Sequence, residues 1–389
     1  MSKAPWEGMG GYTNIDSAAL PMLTEDTPTF MGVPFARSAN ELHCVDVAII
    51  GAPYVAGARG KYAGVDKAEW LAAPKRVRQQ SARYPSGYIQ ELDVDIFEKL
   101  RVVDMGDADI APECNLDPTA ENILKAQGAV EELVNRALEA GAIPIVVGQN
   151  SPCSSYAIAK PIAERSIGKV GMISTDTHWD SRPLDYLTGD ERIAGSGNWK
   201  SKTFSSFSNF SIPNLVEIGE RGMLEEAAMV RNYTQQGAHF YPMWKVRTEL
   251  GIGGLCEELR HAYEGTDDVY VHFDMDILGG AGPAPGDILG ELAEPMGMTD
   301  YEIIRLAHEI GKRGLTGMSF ICIPPGSMVT YRLIVYIIAF LIAGVALSRG
   351  NCAPVAVPVK MRARIGFASR GDLCMTHNTI RGNRRPHLL

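Results

Sequence analysis

The chain has 389 residues, 46% of them hydrophobic, with 40 Gly, 23 Pro and a formal net charge of −9. This composition excludes a wholly disordered, collagen-like or coiled-coil chain, and the length suffices to bury a large core without disulfides. The acidic balance argues against nucleic acid as a partner, because binding it needs a basic face.

Residues 1–43 are weakly patterned and rich in turn formers, so they are expected to form an N-terminal arm. From 44 to 350, short apolar runs alternate with helical spacing. Strands are predicted at 45–51 (VDVAIIG), 100–106 (LRVVDMG), 142–148 (AIPIVVG), 169–175 (KVGMIST), 215–219 (LVEIG), 268–274 (DVYVHFD) and 315–323. Helices are predicted at 119–141, 300–313 and 328–347. Continuously apolar strands alternating with helices specify a parallel sheet covered on both faces. The expected fold class is therefore α/β, a three-layer α/β/α sandwich formed by one domain over 44–350.

Leu333–Leu347 is a run of 15 uncharged residues closed by Arg332 and Arg349. A membrane span needs about 20 apolar residues, so a buried core helix is the expectation and no membrane is a partner. Residues 351–389 carry seven Lys/Arg against one Asp, a net +6, which leaves −15 on the rest of the chain. Both a tail that docks onto an acidic neighbouring subunit and an exposed terminus fit that charge. Seven cysteines with no C-x-x-C spacing read as reduced thiols, and the opening MSKAPWEGMGGYTN lacks an apolar signal core. Both set the expectation of a cytoplasmic protein.

Two motifs carry chemistry. Asp176-Thr177-His178-Trp179-Asp180 follows a predicted strand, and extended backbone would aim Asp176, His178 and Asp180 the same way. Asp274-Met275-Asp276 ends another strand. Ligands of open α/β sheets bind at the carboxyl ends of strands, and carboxylates with imidazole suit Mn, Ni or Zn. Together the motifs point to a carboxylate-bridged binuclear site that activates water. His272 is expected on the opposite face in a structural role, and Trp179 in the core. Gly57–Tyr62 resembles a phosphate-binding loop but lacks its first Gly and its Ser/Thr. Cys153 and Cys322 are expected to be inert buried thiols.

These motifs resemble those of the ureohydrolases, the group that includes arginase, agmatinase and guanidine hydrolase. Asp176-x-His178-x-Asp180 is similar to the family's D-A-H-x-D, and Phe273–Asp276 to its S-F-D-x-D. Val102–Asp107, Ile218–Gly222, Ala284–Gly286 and Glu294–Met298 resemble further family segments in the same order. The resemblance implies the three-layer fold, trimers or hexamers, and hydrolysis of a guanidino group by hydroxide held between two Mn or Ni ions. It implies Asp176, His178, Asp180, Asp274 and Asp276 as metal ligands.

Three departures accompany it. Asn150 stands where the family has its first histidine ligand, and Gln149 where it has the neighbouring acid. Ile321 or Cys322 stands at the acid of the family's late E-x-x-P motif. Residues 192–198 contain no histidine. The ligand set is therefore vestigial or weak, with no catalytic residue and no substrate-binding residue assigned. The resemblance then implies no metal, or one weakly bound metal, in this chain, with two Ni or Mn in an active member or partner subunit. It fits the metal-ligand-deficient subunit of a heteromeric metformin hydrolase-type enzyme, paired with an active paralogue and a small guanidino or biguanide substrate. An enzyme active by itself and a guanidino-binding protein without turnover are the alternatives.

Overall fold

The strands form because runs such as Val47–Ala52 and Ile143–Gly148 are apolar on both faces, and both faces are buried. In chain order we label β1 Val47–Ala52, β2 Val102–Asp107, β3 Ile143–Gly148 and β4 Val170–Thr175. There follow β5 Phe210–Ile218, β6 His239–Tyr241, β7 Asp268–Asp274 and β8 Gly317–Ile321. The computed structural model describes residues 20–56, 61–62, 65–278, 294–325 and 328–349. The Gly57–Tyr62 loop in large part, the Ala284–Gly286 segment and the basic tail lie outside them.

The eight strands pair in parallel in the order β6-β5-β4-β7-β8-β3-β1-β2. The main helices are α1 Ala73–Ser81, α2 Ala120–Glu139, α3 Tyr156–Arg165, α4 Trp199–Ser206, α5 Ala227–Gln235, α6 Gly251–Glu258, α7 Asp300–Arg313 and α8 Met328–Ser348. Alternating strand residues sort them into two layers. Val47, Ile49, Val271 and Phe273 pack with α1, α6, α7 and α8. Ala48, Ile50, Met172 and Tyr270 pack with α2, α3, α4 and α5. The expected sandwich is thus the observed fold. Strand β5 begins at Phe210, earlier than expected, because a register shift lets Phe210 pair with Val170 before Leu215 pairs with Met172.

Residues 20–43 pack onto the body. Phe30 is buried, and its N–H donates to Asp104 Oδ2 at 2.8 Å. The same carboxylate accepts Arg78 Nε at 2.8 Å, so one buried ion pair joins this segment, α1 and β2. Helix α8 is long and apolar enough to cross a membrane by length and composition, yet 72% of its most apolar window is buried. Its partners are α7 and α1.

The α7–α8 contact depends on two glycines. A Cβ on Gly344 would stand 2.3 Å from the His308 carbonyl, and one on Gly311 would stand 2.0 Å from the Leu341 carbonyl. Backbones this close admit no side chain. Gly344→Ala is therefore expected to destabilise the protein by about 1–3 kcal/mol, the usual cost of overpacking. A urea titration that left the unfolding midpoint unchanged would refute the tight contact.

Candidate metal centre

Strands β4 and β7 are neighbours in register, with Thr175 opposite Phe273. The residues that leave their carboxyl ends, Asp176 and Asp274–Asp276, therefore converge. Two groups of possible ligands result, each with its donor atoms within 4.8 Å of one another: Asp176, His178 and Asp276, and Asp176, His272 and Asp274. Asp176 belongs to both.

The backbone does not stay extended after Thr175, so the expected common direction of Asp176, His178 and Asp180 does not arise from strand alternation. Asp176 Oδ1 accepts the His178 N–H at 2.7 Å, which turns the chain. Asp180 adopts a positive φ of 45° and its Oδ2 accepts the Trp199 indole N–H at 3.0 Å. Asp276 is bound more fully: Oδ1 accepts the Thr177 N–H at 3.0 Å, and Oδ2 lies 3.1 Å from His178 Nδ1.

Burial and mutual repulsion dominate the charges. Burial raises the Asp176 carboxyl well above its usual range, and Asp180 adds to the effect. Burial, then Asp276, do the same to Asp274. Burial lifts Asp180 from 3.8 to about 7, against the pull of Lys200 and His178. Burial lowers His178, but the hydrogen bond to Asp276 and three carboxylate charges overcome it and hold the imidazole at about 10.

The positions that depart from the ureohydrolase pattern are occupied in other ways. Asn150 is buried, and its Oδ1 accepts the Ala56 N–H at 2.5 Å. Gln149 Nε2 donates to the carbonyls of Trp70 (2.8 Å) and Ile323 (2.9 Å), while its Oε1 accepts the Ile323 N–H at 2.8 Å. Gln149 therefore clamps the backbone after β8. Ile321 is opposite Asp274 in register, and Cys322, at a φ of 53°, hydrogen-bonds Asp274. Burial, then Asp274 and Asp276, push that thiol up and keep it protonated.

Sequence reasoning missed a second layer. His272 and Asp274 are two residues apart on a strand, so alternation places them on one face, not on opposite faces as expected. The pairing aligns Glu217, Ser174, His272 and Ser319 across β5, β4, β7 and β8, a buried polar row one step below the aspartates. Lys200 of α4 closes this row. Its fully buried Nζ pairs with Glu217, donates to Ser174 Oγ at 3.2 Å and stands 3.7 Å from Asp176 Oδ2. Burial lowers Lys200, but Glu217 and Asp176 more than offset it, so the ammonium persists. The spacing of His272 was visible in sequence; the Lys200–Glu217 pair was not. Arg221 donates to the backbone carbonyls of Glu294, Pro295 and Asp276, and Lys202 to that of Glu191.

The donor set fits a divalent ion at Asp176. Its Oδ2 is buried without a hydrogen-bond partner, as is His272 Nε2. Asp180 belongs to neither group of possible ligands, and Asn150 Oδ1 accepts the Ala56 N–H, so each group offers three protein ligands. An ion bound here would supply Lewis acidity and a more acidic bound water.

The pKa shift of Asp180 has a sign. Raised from 3.8 to about 7, it binds protons in the folded state that the unfolded chain has released. Stability attributable to Asp180 therefore falls as pH rises from about 4 to 7. Asp180→Asn is expected to flatten the decline in chelator-treated protein. Unfolding midpoints that decline with the same slope in both proteins over this window would contradict it.

Comparison with known proteins places this geometry. Residues 45–342 match the arginase family. The chain is 26% identical over 301 residues to formimidoylglutamase of Halobacterium salinarum, covering 73% of this chain and 86% of the relative. It is 26% identical over 280 residues to guanidinobutyrase of Pseudomonas aeruginosa, covering 71% and 79%. Among solved structures, proclavaminate amidino hydrolase from Streptomyces clavuligerus superimposes with a TM-score of 0.67 at 21% identity, over 82% of this chain and 97% of that one. Formimidoylglutamase from Bacillus subtilis does so with a TM-score of 0.66 at 19% identity, over 86% and 97%. A family match across most of the sequence, on a sheet whose carboxylates converge as described, means that this chain belongs to the arginase family.

Proposed function

We propose that this chain is a subunit of a guanidino-compound hydrolase of the ureohydrolase type, in which an active Ni- or Mn-dependent paralogous subunit carries the chemistry. The chain's own role is then assembly and stabilisation in a trimeric or hexameric complex. A metformin- or guanidine-type substrate is the finer reading, and the vestigial ligands are Asp176, His178, Asp180, Asp274 and Asp276.

The observation that carries it is the fate of the departing positions. Asn150 spends its carbonyl oxygen on Ala56, and the strand end at Ile321–Cys322 offers no carboxylate to a substrate cation. A guanidinium needs such an acid for bidentate recognition. Lys200 also places a fixed positive charge beside Asp176, which opposes both a metal pair and a cationic substrate. Two of the relatives carry names that point to guanidino or amidino substrates, which supports the substrate class.

The purified chain is expected to release no urea from guanidine, agmatine or metformin with Ni or Mn supplied. Co-expressed with its paralogue, the complex is expected to do so. Urea released by this chain alone would overturn the reading in favour of a self-sufficient enzyme. The net +6 of residues 351–389 suits docking onto an acidic neighbour. Removing them is expected to lower the number of subunits per assembly in light scattering, most clearly at low salt, where the attraction is least screened; an unchanged subunit number would remove the tail from the interface.

A further inference from the structure

We propose that His272 is a metal ligand, and that with Asp176 and Asp274 it forms a one-ion site whose imidazole comes from within β7. This goes beyond the proposed function and stands whether or not the chain turns over substrate.

A count of protons shows how the imidazole is presented. Tyr270 has one hydroxyl proton and donates it to the Ser155 carbonyl at 3.0 Å. Ser319 Oγ, 2.6 Å from the Tyr270 oxygen, is therefore the donor in that contact. Its single proton is then spent, so the 3.1 Å contact between Ser319 Oγ and His272 Nδ1 is a bond donated by Nδ1–H. The tautomer assigned by this count leaves Nε2 as a bare lone pair. That atom is buried and has no hydrogen-bond partner. A ring N–H held by a fixed acceptor, with the other nitrogen free, is how metal-ligating histidines are oriented.

The neighbouring carboxylate has the same deficit. Asp176 Oδ2 is buried without a hydrogen-bond partner, and Lys200 Nζ at 3.7 Å is beyond hydrogen-bond reach. A ring nitrogen of His272 and one oxygen each of Asp176 and Asp274 lie within 4.8 Å of one another. Buried acceptors left without a donor are costly unless a cation satisfies them. One imidazole with two carboxylates suits a divalent transition ion such as Co, Ni, Mn or Zn. The other group differs: His178 Nδ1 already lies 3.1 Å from Asp276 Oδ2, and Thr177 holds the second Asp276 oxygen. Trp199, whose ring centroid is 4.5 Å from that of His272, fixes the imidazole plane from the α4 side.

The test is Co(II) binding to the full-length chain after chelator treatment, followed by equilibrium dialysis and by the visible absorption of the bound ion. One Co(II) per chain is expected. His272→Gln is expected to weaken binding more than about tenfold, because even loss of a ligand's supporting partner costs about 10–100-fold. His178→Gln is expected to weaken it less than His272→Gln. Should the buried substitution unfold the chain, the signature of the bound imidazole answers instead. The wild-type Co(II) form should show one paramagnetically shifted, exchangeable imidazole N–H, and Ser319→Ala should move that resonance. No bound Co(II), binding that survives His272→Gln, or a shifted resonance indifferent to Ser319 would each overturn the assignment. None of these readouts involves urea release, so the site and the proposed function fail separately.

Discussion

Four aspartates leave the ends of two adjacent parallel strands, and the rest of the site answers their charge. Carboxylate oxygens of Asp176 and Asp274 come within 4.8 Å of each other. At an effective dielectric near 20, two such charges repel by about 3–4 kcal/mol. The protein meets this from within. Lys200 is drawn fully into the core beside Asp176 and Glu217, and His178 is held charged against Asp276. Backbone N–H groups of Thr177, His178 and Asp276 each donate to one of these carboxylates. The neutralising elements are thus two side chains and the turn geometry itself.

The fold makes this concentration of charge possible. Parallel strands in register deliver neighbouring chain ends to one place, and the helix that follows β4 returns Trp199 and Lys200 to the same face. Below the aspartates, the buried row of Glu217, Ser174, His272 and Ser319 places four polar side chains on four successive strands. A polar layer inside a sheet is costly unless its members bond to one another, and the hydroxyls of Ser174 and Ser319 supply those bonds. In place of the ureohydrolase pattern's ligand histidine and second acid, Asn150 and Gln149 have become structural clamps on Ala56 and on the chain after β8.

Much of the fold was legible in the sequence. Strand β7 and helix α7 fall at their expected bounds because Val, Tyr and Phe fill Asp268–Asp274, and because Thr299 and Glu302 form a capping box. Helices α1, α3, α4, α5 and α6 and strand β6 were not among the predicted elements. Helix α1 buries Arg78, Gln79 and Gln80, which hides its apolar period. Helix α3 contains Pro161, α4 is rich in Ser and Lys, and α6 opens on Gly-Ile-Gly-Gly. In each, tertiary contacts override local propensity.

The sequence by itself determined the parallel α/β sandwich and the aspartates at two strand ends, since both follow from period-two patterning and strand-end position. It also contained the His272–Asp274 spacing. Only the tertiary structure decided which strands are neighbours, that Asp180 turns to Trp199, and that Lys200 enters the core to pair with Glu217. Those outcomes join residues from 17 positions apart, Lys200 and Glu217, to 173, Met318 and Ile145. Strand order and helix return set such distances, and no local pattern of side chains encodes them.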